Sequence, residues 1–441
     1  MTIFPKTTSA SLIPDMVNQI IDDGRLELVE KLGEGGYGVV YRAIVIESTS
    51  SLKPTEYAVK ILAKACERSR EWRLQRREIA AHTLVSDHPN ILTLHQVIED
   101  DNFIYLVVDY CPGGDLFSAI IDRHAYSEND DLVKKVFVQI LDAVHSCHEK
   151  GIYHRDLKPD NILCMNEEAS EIVLGDFGLS TKSRTSTTFG CGSSNYISPE
   201  CIGKECRYRP YSPRIADVWA LGVILVNMIA GRHPWNNAAT DDKCFMRFMV
   251  RPGFLRKMLP ISRSANTILR RIFTLDAGLR ITIPELRTAI LKVDTFFMAQ
   301  DEIEKGNRFL RFAAAAYAAD RADTVCSAAI TALREDNEIQ IGSEHIADEF
   351  IAEDAQSHLR IAGGAGTTAF DSESESESGE DSDGLITPES HAQDSASLVK
   401  VSKVSDGADV GIVDSPVIRK KHEHILPVES LIKRLKHVAL R

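Results

Sequence analysis

Between residues 25 and 110 the apolar positions come in short alternating or β-branched runs, separated by polar residues. The runs "RLELVEKL" (25–32), "GVVYRAIVIE" (38–47), "EYAVKIL" (56–62), "ILTLHQVIED" (91–100) and "FIYLVVDY" (103–110) have the length and composition of strands. A Gly-rich turn joins the first two, and Asp100–Asp101–Asn102 joins the last two. One segment differs: "SREWRLQRREIAAHTLVS" (69–86) has helical composition and spacing. From about residue 115 the period lengthens. "DDLVKKVFVQILDAVHSCHEKG" (130–151) places apolar residues at 132, 133, 136, 140, 141 and 144, with Gly151 as a stop signal. "SANTILRRIFTL" (264–275) and "TIPELRTAIL" (282–291) are amphipathic helices, the second opened by Thr282 and Pro284. The pattern predicts an α+β fold: a small lobe of five strands and one main helix, then a larger, mainly helical lobe.

The same pattern divides the chain. Residues 1–25 are an N-terminal extension, 26–111 the sheet-rich lobe and 112–295 the helical lobe. Residues 296–361 are rich in Ala, Glu and Asp and read as a helical linker without clear caps. Residues 362–424 have a Gly, Ser and acid-rich composition expected to stay disordered. Residues 425–441 regain helical spacing. Val428, Leu431, Ile432, Leu435 and Val438 form a stripe, with Lys433, Arg434 and Lys436 off it, which predicts a basic amphipathic helix.

Charge and cysteine usage narrow the setting. The formal charge is 51 − 64 = −13, which argues against nucleic acid as a partner. Seven of the acids sit in "DSESESESGEDSD" (371–383), so the rest of the chain is only mildly acidic. The nine cysteines are scattered, with no C-x-x-C pair and no zinc spacing, as expected of reduced thiols in a cytoplasmic or nuclear protein. The N-terminus lacks the basic and apolar regions of a secretory signal. The most apolar stretch, "VWALGVILVNMIA" (218–230), is short for a bilayer and reads as a buried helix, so no transmembrane segment is expected.

Candidate chemistry lies in four places. "GEGGYGVV" (33–40) sets Gly33, Gly35 and Gly38 between two strands, where a bare backbone can lie close to a phosphate chain. The absence of a helix straight after these glycines argues against a Rossmann site. Lys60 ends the apolar strand "EYAVK", and Glu78 follows 18 residues later on the predicted helix. A Lys–Glu pair there would hold the lysine against phosphate oxygens. "GIYHRDLKPDNIL" (151–163) carries Asp156, Lys158 and Asn161, and Pro159 keeps them off a regular helix. "GDFGLS" (175–180) adds Asp176, so that Asn161 and Asp176 offer hard oxygens of the kind Mg²⁺ prefers.

In their order and spacing these residues resemble the eukaryotic protein kinase family, serine/threonine type. The match runs over roughly residues 26–292 and includes Gly33, Gly35, Gly38, Val40, Ala58, Lys60, Glu78, His154–Arg155–Asp156, Lys158, Asn161, Asp176–Phe177–Gly178, Ser198–Pro199–Glu200, Asp217–Val218–Trp219 and Arg280. The resemblance implies a bilobal kinase fold and transfer of the ATP γ-phosphoryl group to Ser or Thr hydroxyls of protein substrates. It makes Asp156 the base, Lys158 a positive charge beside the transferring group, and Asn161 and Asp176 the Mg²⁺ ligands. Lys60 and Glu78 complete the catalytic set. It places the adenine between Val40 and Ala58 above and Leu163 below, with Val108 at the back. The backbone of Asp109 and Cys111 would bond the adenine edge, and Asp115 the ribose. Ser193 would contact Asp156 and Lys158, a mark of Ser/Thr specificity. Glu200 and Arg280 would form a buried ion pair, and Asp217 would brace the catalytic loop.

Arg155 implies control through the segment 179–197, where Thr185, Ser186, Thr187 and Thr188 are candidate phosphosites for an upstream kinase. Ser198 stands where the family usually has Ala, a small change in the same turn. "FGCGSSNYISPEC" and "GRHPWNNA" resemble fungal kinases that regulate nutrient response and meiotic entry. A scaffold without chemistry and a small-molecule kinase are the alternative classes. The complete polar set argues against the first, and the Ser-Pro-Glu segment with Arg280 against the second. The chain is expected to be a monomer.

Overall fold

In the computed structural model, which describes residues 9–35, 38–46 and 54–318, the alternating runs of the first hundred residues pair into one antiparallel sheet. Its strands are β1 (Ile20–Ile21), β2 (Leu26–Glu34), β3 (Val39–Val45), β4 (Glu56–Ala63), β5 (Leu94–Glu99) and β6 (Phe103–Asp109), in the spatial order β1-β2-β3-β4-β6-β5. The five longer strands are those the sequence predicts. The sixth corrects the count: Ile20 and Ile21 of the N-terminal extension pair with Glu27 and Leu26. A two-residue strand is too short for alternation to reveal it.

The extension also supplies core. Ala10, Ile13 and Met16 are buried with Leu26, Leu28, Tyr41 and Val59, and the Met16 N–H donates to the Tyr41 hydroxyl at 3.2 Å. The packed lobe therefore starts before residue 26. Helix α1 (Arg70–Val85) lies between β4 and β5 in sequence, and its first turn is capped by the Ser69 hydroxyl, which accepts from the Trp72 N–H at 3.0 Å.

The second lobe is built from α2 (Leu116–Ile121), α3 (Asp130–Glu149), α4 (Pro199–Ile202), α5 (Pro213–Ala230), α6 (Lys243–Val250), α7 (Leu255–Met258), α8 (Arg263–Ile272) and α9 (Ile283–Leu291). A two-stranded ribbon, β7 (Ile162–Cys164) and β8 (Ile172–Leu174), lies between α3 and α4 in sequence. Asn129 caps α3 by accepting from the Leu132 N–H at 3.1 Å, and Asp130 and Asp131 complement its N-terminal dipole. Thr282 and Glu285 form a capping box at α9.

Helix α5 contains the most apolar stretch. Its length and hydropathy would suit a bilayer, but nearly all its side chains are enclosed by the lobe. Trp219 on this helix packs with Trp235, Phe245 and Phe273, with ring centroids 4.9 to 6.1 Å apart. The result is a two-lobed α+β fold, as the pattern predicts.

The expectation of a linker from residue 296 needs correction over the described part. Helices α10 (Gln300–Glu304) and α11 (Arg308–Ala318) pack onto the helical lobe. Phe296, Leu310, Ala313 and Tyr317 are buried. The Phe296 N–H donates to Asp130 at 2.7 Å, and the Tyr317 hydroxyl donates to the Met228 carbonyl at 2.8 Å. A cap does exist: the Asn307 side chain accepts from the Phe309 and Leu310 N–H groups at 2.9 and 3.0 Å. The remainder of 296–361, the acidic stretch 362–424 and the terminal segment 425–441 lie outside the described residues.

Candidate active site

Between the sheet and the helical lobe, one cleft gathers the polar residues singled out above. Lys60 stands on β4 and donates to Glu78 Oε1 on α1 at 2.7 Å and to Asp176 Oδ1 at 3.2 Å. Burial disfavours its charge, but the two carboxylates outweigh burial and lift the amine above its ordinary 10.5. For Asp176 the balance is the converse. Burial pushes the carboxyl up, and Lys60 overrides it and holds the group below its ordinary 3.8. Asp176 has φ +57° and Arg155 φ +69°, two left-handed backbones of the kind that concentrate at functional sites.

Pro159 limits the catalytic loop to a single 3-10 turn, Pro159–Asn161. Asn161 donates to the Asp156 carbonyl at 2.8 Å and to its carboxylate at 3.3 Å. The Ser193 N–H and hydroxyl both donate to Asp156 Oδ1 at 2.9 Å, and Lys158 donates to the Ser193 hydroxyl at 3.1 Å. Asp217, buried on α5, accepts from the His154 and Arg155 N–H groups at 2.9 and 2.8 Å and from His148 Nε2 at 2.8 Å. The loop carrying Asp156 is thus pinned from below by a buried carboxylate and from the side by Ser193.

The residues present fit a nucleotide and Mg²⁺. Ala58, Val108, Leu92 and Val173 are buried in one apolar cluster, with Val40, Cys111, Leu163, Leu94 and Met165 packed against it. The Cys111 thiol is pushed up to about 12, chiefly by burial, so it is an inert wall. Among the described residues the Cys111 N–H has no hydrogen-bond partner. The Asp109 carboxylate accepts from the Thr93 N–H at 3.0 Å and from His95 at 2.7 Å, which fixes the segment between the lobes. Asp115 caps α2 through the Ser118 N–H at 2.7 Å, using one of its two carboxylate oxygens.

Gly38 is fixed by packing, since a Cβ there would stand 2.4 Å from the Ile61 carbonyl oxygen. Among the described residues, chain neighbours aside, a Cβ at Gly33 or Gly35 would meet no atom within 4 Å. Among the described residues no group of three His, Cys, Asp or Glu could hold a metal unaided. Asn161 and Asp176 therefore suit a hard cation that also takes phosphate and water oxygens.

The segment after Asp176 is anchored to the helical lobe. Glu200 and Arg280, both buried, are paired through the two terminal guanidinium nitrogens, one contact at 3.0 Å, and Arg280 also lies over the Trp219 ring at 5.0 Å. Thr185, Thr187 and Thr188 are exposed, whereas Ser186 is buried, which removes Ser186 as an accessible phosphosite. Arg155 lies near the Cys191 thiol and near Arg77 of α1, whose charge is disfavoured by burial and then by Arg155.

Several residues of the site are not evident from the sequence. His82 packs its ring 5.1 Å from Phe177, which in turn lies 5.2 Å from His154. His82 Nε2 bonds the Leu92 carbonyl at 2.7 Å, and His154 Nε2 the Gly175 carbonyl at 3.0 Å. This stack ties α1, the Asp176 segment and the catalytic loop together. The available signal was that His82 lies one helical turn after Glu78, on the same face. Leu92, Leu94, Met165 and Val173 read only as core residues.

Comparison with known proteins gives a match to the protein kinase domain model over residues 26–290. The chain is 41% identical over 294 residues to "Negative regulator of sexual conjugation and meiosis" of Schizosaccharomyces pombe, covering 62% of this chain and 61% of that protein. It is 34% identical over 279 residues to "Serine/threonine-protein kinase ksp1" of the same organism, covering 62% and 58%. To "Serine/threonine-protein kinase VHS1" of Saccharomyces cerevisiae it is 30% identical over 331 residues, covering 61% and 70%. The match thus spans about three fifths of the first two relatives.

Proposed function

Because the chain belongs to the protein kinase family, we propose that it transfers the γ-phosphoryl group of ATP to Ser and Thr hydroxyls of protein substrates. The observation that carries this reading is the convergence of Lys60, Asp156, Lys158, Asn161 and Asp176 on one cleft, with Lys60 held by Glu78.

Lys60 stays protonated and aims its charge at phosphate oxygens, while Glu78 limits its swing. Val40, Ala58, Val108 and Leu163 hold the base, and the Cys111 N–H supplies a donor for its edge. Asp156 orients the substrate hydroxyl and takes its proton. Lys158 sits 3.5 Å from the Asp156 carboxylate and adds positive charge where negative charge is transferred. Ser193 holds both groups, so the receiving segment and the base are set by the same hydroxyl. Mg²⁺, held by Asn161 and Asp176, would supply neutralisation of the phosphate charge.

The name of the first relative speaks of conjugation and meiosis and supports a place in meiotic control; a role in nutrient response rests on the resemblance of "FGCGSSNYISPEC" and "GRHPWNNA" alone. The cysteine spacing supports a cytoplasmic or nuclear location, and a monomer suffices for the chemistry. The test is a peptide-library phosphorylation assay with purified wild type and Asp156→Asn. The variant is expected to lose about 10²–10⁴-fold in kcat while binding nucleotide normally. Undiminished transfer by Asp156→Asn would refute the assigned base.

A further inference from the structure

From Thr181 to Gly190 the described contacts that hold the chain need no formal charge. Tyr153 and Thr181 exchange two backbone hydrogen bonds at 2.9 Å, and Ser186 and Tyr211 exchange two at 2.8 and 3.0 Å. The Gly190 N–H donates to the Cys201 carbonyl at 2.8 Å. The Tyr211 hydroxyl donates to the Thr188 carbonyl at 2.8 Å. Between these bonds sits one aromatic anchor. The Phe189 ring meets Tyr208 edge-on at 5.2 Å and 84°, and lies 5.9 Å from the Tyr211 ring.

The socket is built for that ring. Its floor is Gly203, at φ +84°, where a Cβ would stand 2.6 Å from the Phe189 ring and 2.7 Å from the Tyr208 ring. Tyr208 itself has φ +51°, and its N–H returns to the Gly203 carbonyl at 2.8 Å. A turn with left-handed backbone at both points thus brings Tyr208 against Phe189.

Phe189 lies four residues before Ser193, whose N–H and hydroxyl hold Asp156. With the Gly190–Cys201 bond it fixes the near end of the short run that delivers Ser193. We propose that Phe189 is a positioning residue, seated between Tyr208 and Tyr211, that sets the substrate-receiving segment without phosphate on Thr185, Thr187 or Thr188. The inference rests on the protein kinase reading and answers what that reading leaves open, namely whether an activating phosphate is needed. Arg155 is present, but the bonds and rings that order Phe189 and its neighbours do not draw on its charge.

The test uses the full chain with a peptide substrate, and four proteins: wild type treated with phosphatase, Thr185→Ala/Thr187→Ala/Thr188→Ala, Phe189→Ala and Phe189→Tyr. The phosphatase-treated wild type and the triple variant are expected within about twofold of untreated wild type. Phe189→Ala is expected to lose about 10²-fold in kcat/KM for the peptide, the scale of a 1 Å misplacement. Its KM for ATP should stay within about twofold, and Phe189→Tyr should restore most of the peptide rate. A general loss of fold would instead move both KM values and the melting temperature, and in that case Tyr208→Ala carries the same kinetic split. Wild-type peptide kinetics in Phe189→Ala, or activity confined to phosphorylated protein, would overturn the proposal. An active wild type with an unaffected Phe189→Ala sinks this inference alone. A wild type no more active than Asp156→Asn sinks the kinase reading as well, since the segment then positions nothing.

Discussion

His82 shows how a single side chain can couple the fold to pH. Burial holds its imidazole below the ordinary 6.5, while its Nε2 bonds the Leu92 carbonyl and its ring meets Phe177. A group whose folded pKa is depressed gives stability that is present above the unfolded value and lost as pH falls toward the folded one. His233 is shifted the same way, again by burial. Lys60 and Asp176 are shifted outward, up and down respectively, so their pairing persists from about pH 4 to 10. The stack containing His82 should therefore weaken first on acidification. Thermal melts from pH 7 to 5 should fall less steeply for His82→Leu than for wild type; parallel slopes would show that the imidazole stays neutral or solvated. The polar set was legible in the sequence because phosphoryl transfer demands those residue types at those spacings. His82 and Phe189 were not, since their roles come from ring partners brought together only by folding: Phe177 for one, Tyr208 and Tyr211 for the other.

Helix α1 is where an element, more than a residue, decides activity. It brings Glu78, Ala81, His82 and Val85 to its buried face, while most of its basic residues point outward or to acids such as Glu99. It is held by the Glu78–Lys60 bond to β4, by the His82 ring on Phe177, and by Ala81 and Val85 in the core of the helical lobe. Glu78→Gln keeps the shape and removes the charge, leaving Lys60 with Asp176 as its one remaining anionic partner. We expect a loss of about 10–10² in kcat, from a misoriented Lys60. Amide hydrogen exchange should rise along α1 and stay unchanged in α3 and α5, because locally docked elements open below the global free energy. Exchange that rises evenly through both lobes would mean that Glu78 supports the whole fold. The helix itself was legible from its 3.6-residue spacing, and Glu78 from its place after Lys60, whereas His82 on the same face was not. Glu78 is one of several charged residues in a run of Arg, Glu and Gln, and Lys60 on β4 of the same lobe selects it.

At the scale of the whole molecule, the unit that packs is larger than the span that matches the family. The match covers residues 26–290, whereas core side chains run from Ala10 to Tyr317. Both margins escaped the hydrophobic pattern for physical reasons. At the N-terminal side the chain contributes three spaced apolar residues and a two-residue strand, too little for a period to register. At the C-terminal side α11 is Ala-rich, and its hold on the lobe comes from Tyr317. That ring closes over Gly231, where a Cβ would stand 2.3 Å from it, and its carbonyl meets His124 at 3.0 Å. Deleting so large a buried side chain typically costs about 3–5 kcal/mol. Tyr317→Ala should therefore lower the melting temperature of the full chain by several degrees, at about 2–4 °C per kcal/mol. Ending the chain at residue 290 should lower it below that of a chain ending at residue 318, because Phe296, Leu310 and Ala313 leave with it. A chain of residues 1–290 that melts like one of residues 1–318 would mean that α10 and α11 lie on a core already complete without them.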